Sequence, residues 1–239
     1  MLLIQQIVYS TEIQDEIYED RFCIGQTQQG RDVWIEQFGA GPDRILVIAS
    51  IHGTERIGTP LLNQWIQFLM EHPTLLQGKT LYLLRDANPD GGVFGLRGNR
   101  DNIDINRNFP TDNFGRGWFN GEEPLLAVEA QNLMVLLSEL EPNRVLSIHQ
   151  PLNGIDYDGP SKALAECLAQ HTGLRIHRLG ARSGSLGTFV GVELKTPVVT
   201  LEIPEFVQNR SPEWIWNKYG PLLLLFLSYP DCDVQSVEQ

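Results

Sequence analysis

The sequence predicts an α/β protein, a three-layer sandwich in which a mixed, mostly parallel sheet lies between helices. Two observations carry this prediction. Short apolar runs bounded by polar or turn residues, which are typical of buried strands, alternate with longer segments whose apolar residues recur at helical spacing. Polar residues capable of catalysis also follow several of these runs directly, as is usual where an active site gathers at the carboxyl ends of strands.

The predicted elements follow one another without a repeat or a linker, so we expect one domain over residues 1–239, with its motifs within 22–228. Segments 22–25 and 32–38 flank a polar turn and predict a β-hairpin. Apolar runs predict further strands at 44–51, 80–84, 144–148, 174–178 and 198–203. Helical spacing predicts helices at 57–70, 125–140, 161–170 and 212–227. Residues 88–119 are polar and without periodicity, which is typical of a functional loop region.

The composition excludes several classes of partner. A formal net charge of −12 leaves no basic patch for nucleic acid. The most apolar segment, 222–227, is far shorter than the roughly 20 residues that cross a bilayer, so we expect no membrane partner. Cys23, Cys167 and Cys232 are odd in number and far apart, which predicts reduced thiols. Together with an N-terminus unlike a signal peptide, they predict a cytoplasmic protein. The oligomeric state stays unknown from the sequence.

His52 and Glu55 are the first candidates for chemistry, because they directly follow the apolar run 45–51. A histidine and a glutamate three residues apart, at the turn between a strand and a helix, can point at one metal ion. His149, which follows the strand predicted at 144–148, supplies a third ligand. Two imidazoles, one carboxylate and a water complete a hydrolytic zinc site. The alternative for His149 is a strand-capping histidine bonded to the backbone.

Glu202 lies in an otherwise apolar strand, where a carboxylate is costly unless it faces a cleft or a partner. It is a candidate general base, which would take a proton from the attacking water and deliver it to the leaving amine. The alternative is a strand-end carboxylate in a structural ion pair.

The loop region 88–119 contains a second group of candidates. Asn106 and Arg107 together suit the binding of a substrate carboxylate, since arginine forms a bidentate pair with it and asparagine adds an amide. Asp104 could accept the free N–H of a metal-bound imidazole. Arg97 could stabilise the oxyanion of a tetrahedral intermediate. The alternative for a single loop arginine is a solvated surface charge.

These motifs, in this order, resemble the zinc carboxypeptidase family. The resemblance covers roughly residues 22–228 and rests on His52 and Glu55, the Asn-Pro-Asp-Gly segment 88–91, Arg97, the Asp-x-Asn-Arg-Asn-Phe segment 104–109, His149 and Glu202. It implies one zinc ion held by His52, Glu55 and His149. It implies an oxyanion role for Arg97, carboxylate capture by Asn106 and Arg107, and Glu202 as base. It also implies an eight-stranded mixed sheet flanked by helices.

Within that family the chain looks more like the bacterial branch typified by murein tripeptide amidase. Digestive-type members carry a tyrosine about twenty residues before the catalytic glutamate, whereas no tyrosine lies between Tyr157 and Tyr219 here. The region of this chain that corresponds to that tyrosine is 184–189. This region, together with the Gln-Pro-Leu that follows His149, is similar to the bacterial branch. The branch implies hydrolysis of the γ-D-glutamyl–diaminopimelate bond of cell-wall peptides in the cytoplasm, and so a role in cell-wall recycling.

Two other functions stay open at this point. An N-acyl amino acid deacylase of the aspartoacylase and succinylglutamate desuccinylase type shares several motifs. It usually has a glycine at the position of Thr111 and a further C-terminal β domain, for which residues 203–239 leave little room. A peptide-binding relative without activity would lack a ligand, base or arginine, and none is missing. The segment 156–158 could line the pocket or belong to a surface loop.

Overall fold

A seven-stranded mixed sheet runs through the centre of the computed structural model, which describes residues 18–232. The strands are β1 (Tyr18–Gln26), β2 (Asp32–Phe38), β3 (Asp43–Ala49), β4 (Lys79–Leu84), β5 (Arg144–His149), β6 (Gly154–Asp158) and β7 (Val198–Glu202). Their order across the sheet is β1-β2-β4-β3-β5-β7-β6. The four central strands β4, β3, β5 and β7 are parallel, and the flanking pairs β1–β2, β2–β4 and β6–β7 are antiparallel.

Helices cover both faces of the sheet, which confirms the predicted three-layer sandwich. The helices are α1 (Gly58–Glu71), α2 (Pro89–Phe94), α3 (Val128–Leu140), α4 (Lys162–Thr172), the one-turn α5 (Leu186–Thr188) and α6 (Pro212–Ser228). Helices α1, α4 and α6 form one buried cluster with the sheet, while α3 packs on the opposite face. None of the helices within residues 18–232 has the length and hydrophobicity that crossing a bilayer requires.

The parallel core explains why the central strands are continuous apolar runs. A strand covered by helices on both faces has no solvent-facing side, and every residue of β5 is buried. Arg144, at its start, is the charged exception on this strand. Its guanidinium is paired with Asp43 at 2.8 Å and donates to the carbonyls of Phe226 and Leu227, which ties β3, β5 and the end of α6 together.

Two predictions about strands are wrong in detail. The described residues form seven strands rather than eight, and residues 174–178 contribute only an isolated bridge between Ile176 and Ile155. The strand beside that bridge is β6, which the sequence did not predict. Its side chains Ile155 and Tyr157 alternate with Asp156 and Asp158, so the segment lacks the continuous apolar character of its neighbours.

The prediction of three reduced thiols is also wrong, because Cys167 and Cys232 form a disulfide. Cys167 is buried in α4, and Cys232 follows the end of α6. These two helices pack against each other, which brings together cysteines that are 65 residues apart in the chain. Cys23, in β1, is a free thiol.

The disulfide should contribute measurably to stability. A bond that closes a loop of this length restricts the unfolded chain, so we expect Cys232→Ser to lower the free energy of unfolding by about 2–4 kcal/mol. Urea unfolding with and without reductant measures the effect, and Cys23→Ser is the control. If reductant leaves the unfolding midpoint of the wild type unchanged, the two cysteines do not form the bond.

Candidate metal centre and active site

The predicted site residues gather at the carboxyl ends of the parallel strands. His52 and Glu55 follow the end of β3, while His149 and Glu202 are the last residues of β5 and β7. His149 and Glu202 are paired directly in the β5–β7 register. The neighbouring ends of β3, β5 and β7 therefore place all four side chains at one edge of the sheet, as the sequence predicted.

His52, Glu55 and His149 form a compact buried cluster. Their candidate ligand atoms all lie within 4.8 Å of one another, and the three residues are 2%, 6% and 4% exposed. The Nδ1 atom of His52 is 2.9 Å from Glu55 Oε1, and the Nδ1 atom of His149 is 2.9 Å from Glu55 Oε2. The two Nδ1 atoms are 3.2 Å apart.

This donor set fits zinc. Ligand atoms bonded to a tetrahedral zinc ion at about 2.1 Å lie about 3.4 Å from one another, close to the separations in the cluster. Two imidazole nitrogens and one carboxylate leave a coordination position open, which is the pattern of a catalytic rather than a structural zinc site.

The ring nitrogen of His52 that faces away from the cluster is bonded to Asp104. The distance from Nε2 to Asp104 Oδ1 is 3.0 Å. Burial alone would raise the pKa of Asp104, but the hydrogen bond with His52 and the charges of His52, Arg97 and Arg107 lower it to about 2. An ionised Asp104 therefore keeps the proton of His52 on Nε2 and leaves Nδ1 for the metal.

Glu55 is held in its ionised form by its neighbours. Burial would raise the pKa of Glu55, but the hydrogen bonds with His149 and His52 lower it well below its usual range. The backbone N–H of Gln150 also donates to Glu55 Oε2 at 3.0 Å. Burial alone would lower the pKa of His52, but the hydrogen bonds and charges of Asp104 and Glu55 raise it above its usual value.

The turn that presents these ligands needs Gly53. A Cβ atom at this position would collide with the backbone of Gly91 in α2, so only glycine allows the turn and α2 to approach this closely. The backbone N–H of Gly53 donates to the carbonyl of Arg97 at 3.1 Å. Ser50, at the end of β3, has a positive φ of 56°, which directs the chain sharply out of the strand.

Arg97 lies beside the metal cluster. Its Nη1 donates to Glu55 Oε1 at 2.6 Å and its Nε donates to Asp104 Oδ2 at 3.3 Å, while half of the side chain is exposed to solvent. The structure thus brings this loop arginine to the site and leaves its side chain half exposed to solvent.

Asn106 and Arg107 follow Asp104 in one short turn. Asp104 Oδ1 accepts the backbone N–H of Asn106 at 2.9 Å, and the side-chain oxygen of Asn106 accepts the backbone N–H of Leu186 at 2.8 Å. That contact orients the amide of Asn106. Within residues 18–232 its NH2 group has no hydrogen bond, so it is available to a ligand. Arg107 is half-buried and close enough to lower the pKa of Asp104.

Three asparagines whose structural role the sequence did not predict hold the loop region in place. Asn88 caps α2 by accepting the N–H of Gly91, and it donates to the carbonyl of Gly98 at 2.9 Å. Asn99 accepts the N–H of Ile103, and Asn108 accepts the N–H of Ala127. All three are buried. The abundance of asparagine in 88–119 was the available signal, because this side chain satisfies backbone groups that regular structure does not.

Glu202 is half-buried at the end of β7. The backbone N–H of Leu152 donates to its Oε2 at 3.3 Å, and the carboxylate has no ion pair with a lysine or arginine in the described part of the chain. Burial and the negative charge of Glu55 raise its pKa, while His149 opposes the shift. The structural ion pair considered as an alternative is therefore not formed.

Comparison with known proteins identifies the family. The sequence profile of the zinc carboxypeptidase family matches residues 16–150, more than half of the chain. The chain belongs to the zinc carboxypeptidase family. Zinc is accordingly its cofactor, and the protein is a hydrolase, a zinc metallopeptidase or amidase whose substrate is a peptide.

The relatives include bacterial amidases. Murein peptide amidase A of Escherichia coli strain K12 is 29% identical over 199 residues, which cover 76% of this chain and 79% of the relative. The corresponding protein of Vibrio campbellii is 28% identical over 192 residues, 71% of this chain and 73% of the relative.

Solved structures show the same fold. The murein-tripeptide amidase MpaA from Escherichia coli O157 superposes with a TM-score of 0.70 at 24% identity, covering 91% of this chain and 96% of that protein. Carboxypeptidase A from Helicoverpa armigera gives a TM-score of 0.75 at 16% identity, covering 93% and 70%.

The contact between Asp104 and His52 predicts an effect on metal affinity. Loss of a carboxylate partner of a metal-bound histidine usually lowers metal affinity 10- to 100-fold, so we expect this range for Asp104→Asn. Competition with a chromophoric chelator measures the zinc dissociation constant. Asp101→Asn, in the exposed part of the same loop, is the matched control. Unchanged affinity in Asp104→Asn would show that Asp104 does not support the ligand.

Proposed function

We propose that this hydrolase cleaves the amide bond next to a C-terminal residue that carries a free carboxylate, and that its substrate is the γ-D-glutamyl–diaminopimelate bond of murein tripeptide. The assignment of the substrate rests on the similarity to murein peptide amidase A over 76% of the chain. The arrangement of the site residues supports the chemistry, and their roles below are part of the proposal.

His52, Glu55 and His149 are the proposed zinc ligands, and zinc at this position supplies a Lewis acid that lowers the pKa of water and polarises a carbonyl. Glu202 is the proposed general base. Its raised pKa suits a group that first accepts a proton from the attacking water and then donates it to the leaving amine. The bond from the N–H of Leu152 holds one oxygen of this carboxylate in position.

Arg97 is the proposed donor to the oxyanion that develops on the carbonyl oxygen. Its partners Glu55 and Asp104 fix the guanidinium at the edge of the cluster before substrate arrives. Such preorganised charge stabilises a transition state more than a group that must first move.

Asn106 and Arg107 are the proposed binding residues for the carboxylate of the C-terminal residue. The free NH2 of Asn106 and the guanidinium of Arg107 lie in one turn and provide donors for a planar anion. Because Asp104 bonds both the backbone of Asn106 and the ring of His52, the turn keeps a fixed distance from the metal ligands.

We keep the cytoplasm as the proposed location, because the branch that the sequence resembles acts there. Disulfides are rare in the cytosol, so the bond between Cys167 and Cys232 provides the test. Alkylation of both thiols in intact cells that express the native gene would support the cytoplasm. A bond that survives rapid alkylation of every free thiol would place the protein in an oxidising compartment.

Hydrolysis of L-alanyl-γ-D-glutamyl-diaminopimelate by zinc-loaded protein tests the proposed function. We expect wild type to release diaminopimelate and Glu202→Gln to lose about 10²- to 10⁴-fold in kcat, since a general base contributes this much. Chromatography of the released amino acid measures the rate, and metal analysis verifies that both proteins carry zinc.

The controls distinguish an error in the role of Glu202 from an error in the choice of substrate. Glu205→Gln, an exposed glutamate three residues beyond the base, should retain activity. Near-normal turnover by zinc-replete Glu202→Gln would exclude Glu202 as the base. If wild type is inactive on murein tripeptide, the next substrates to assay are peptides with ordinary C-terminal residues and N-acyl amino acids. Cleavage of N-acyl amino acids alone would favour the deacylase alternative.

A further inference from the structure

Glu129 is a buried acid that the chemistry described so far does not use. It is the second residue of α3, and it is 1% exposed. A carboxyl group in such a position is costly unless it is hydrogen-bonded. Its Oε2 accepts a hydrogen bond from the side-chain NH2 of Asn99 at 3.1 Å. Asn99 is therefore the side chain through which Glu129 can act on the loop region.

Asn99 closes the turn that separates Arg97 from Asp104. Its side-chain oxygen accepts the backbone N–H groups of Asp101 at 3.1 Å and of Ile103 at 3.0 Å. Its own backbone N–H donates to the carbonyl of Ile103 at 2.9 Å. The two ends of the turn thus meet, and Nε of Arg97 donates to Oδ2 of Asp104 at 3.3 Å. The conformation of Asn99 therefore sets the spacing of Arg97 and Asp104.

The turn depends on which way the amide of Asn99 points. An asparagine amide has an oxygen that accepts at one end and an NH2 group that donates at the other. If the amide were reversed, its NH2 would face the N–H groups of Asp101 and Ile103, and both would lose their acceptor. Glu129 offers an acceptor on the other side, so the observed orientation alone satisfies both ends of the amide.

Glu129 itself is held by the packed helix α3. The helix lies against β1, and its residues Ala130 and Leu133 belong to the buried cluster on this face of the sheet. The acceptor for Asn99 therefore comes from a part of the fold that is fixed independently of the turn.

The surroundings of Glu129 disfavour its charge. Burial and the charge of Asp90 raise the pKa of Glu129, while the amide of Asn99 and the backbone N–H groups of Glu129 and Gln28 oppose the shift. A carboxyl group can accept a hydrogen bond in either protonation state, and so can the amide oxygen of a glutamine. The acceptor oxygen, rather than the charge, is thus what Glu129 provides to Asn99.

We propose that Glu129 is a positioning residue for the hydrolysis and that it acts by fixing the amide of Asn99. The turn then holds Arg97 where it can donate to the oxyanion. It also holds Asp104 against His52, a proposed zinc ligand. This inference rests on the proposed function, which assigns the roles of Arg97 and Asp104.

Two substitutions separate the acceptor oxygen from the charge. Glu129→Gln keeps an oxygen for Asn99, whereas Glu129→Met has a similar length and no such oxygen. We would measure kcat and KM of the zinc-loaded proteins on L-alanyl-γ-D-glutamyl-diaminopimelate. Since displacement of a catalytic group by about 1 Å can cost about 100-fold, we expect Glu129→Met to lose about 10- to 100-fold in kcat. Its KM, and both constants of Glu129→Gln, should stay close to wild type.

The zinc dissociation constant is a second readout, and it requires no turnover. A displaced Asp104 supports His52 less well, so Glu129→Met should raise the constant about 10-fold, the lower end of the effect of losing such a support. Competition with a chromophoric chelator measures it. In the Asp104→Asn protein the same substitution should raise the constant no further, because the support is already absent. Independent, additive losses would show that Glu129 acts by another route and would overturn the proposal.

The matched control is a substitution in the same helix that does not reach the turn. Leu136→Val removes one methylene from a buried side chain two turns further along α3, which lowers stability. It should leave kcat and the zinc dissociation constant unchanged, and so separates positioning from a general loosening of the fold. Glu129→Leu, another good helix former, repeats the test if the methionine variant does not fold.

The outcomes distinguish this inference from the proposed function. Wild-type kcat and zinc affinity in Glu129→Met would overturn the positioning role. Equal losses in Glu129→Gln and Glu129→Met would also overturn it, because the acceptor oxygen would then have no effect. If wild type does not cleave the tripeptide, the proposed function fails, and the zinc dissociation constant alone decides the role of Glu129.

Discussion

The hydrogen bond between His52 and Asp104 is the contact on which the arrangement of this active site depends. His52 lies in the turn that follows the central strand β3, and Asp104 belongs to the loop region between β4 and α3. Asp104 also accepts from the side chain of Arg97 and from the backbone of Asn106. One buried carboxylate therefore sets the positions of a proposed metal ligand, the proposed oxyanion donor and the proposed carboxylate-binding turn. Removing one member of such a buried charged network leaves the others unpaired, which is costly.

The loop region is ordered by side-chain amides rather than by regular structure. Asn88, Asn99 and Asn108 are buried and bond backbone groups that have no helix or sheet partner. A loop whose buried polar groups are satisfied behaves as a rigid scaffold. That rigidity matters here, because groups that act on a developing charge are effective only when they are already in place.

The sequence predicted those parts of the structure that depend on local pattern. Continuous apolar runs predicted the central strands. The candidate site residues His52, Glu55, His149 and Glu202 were predicted from their order in the chain and from their positions at or just beyond the ends of those strands. The remaining features depend on contacts between distant residues. The disulfide needs the packing of α4 on α6, and the bond from Leu186 to Asn106 joins residues 80 apart in the chain. No local pattern reports such contacts. The domain boundaries and the roles of the site residues stay predictions.

The strand that the sequence missed carries two aspartates among its five residues. Strand β6 has Asp156 and Asp158 on the face that continues from Glu202, and this acidic alternation removed the apolar signal. A carboxylate on an inner face lowers stability unless something compensates its charge. Within residues 18–232 the carboxylate of Asp158 has no hydrogen bond or ion pair, and it lies close to the backbone of Gly187. The strand forms nonetheless because each of its residues pairs with a residue of β7, a contact between distant parts of the chain that the local pattern does not report.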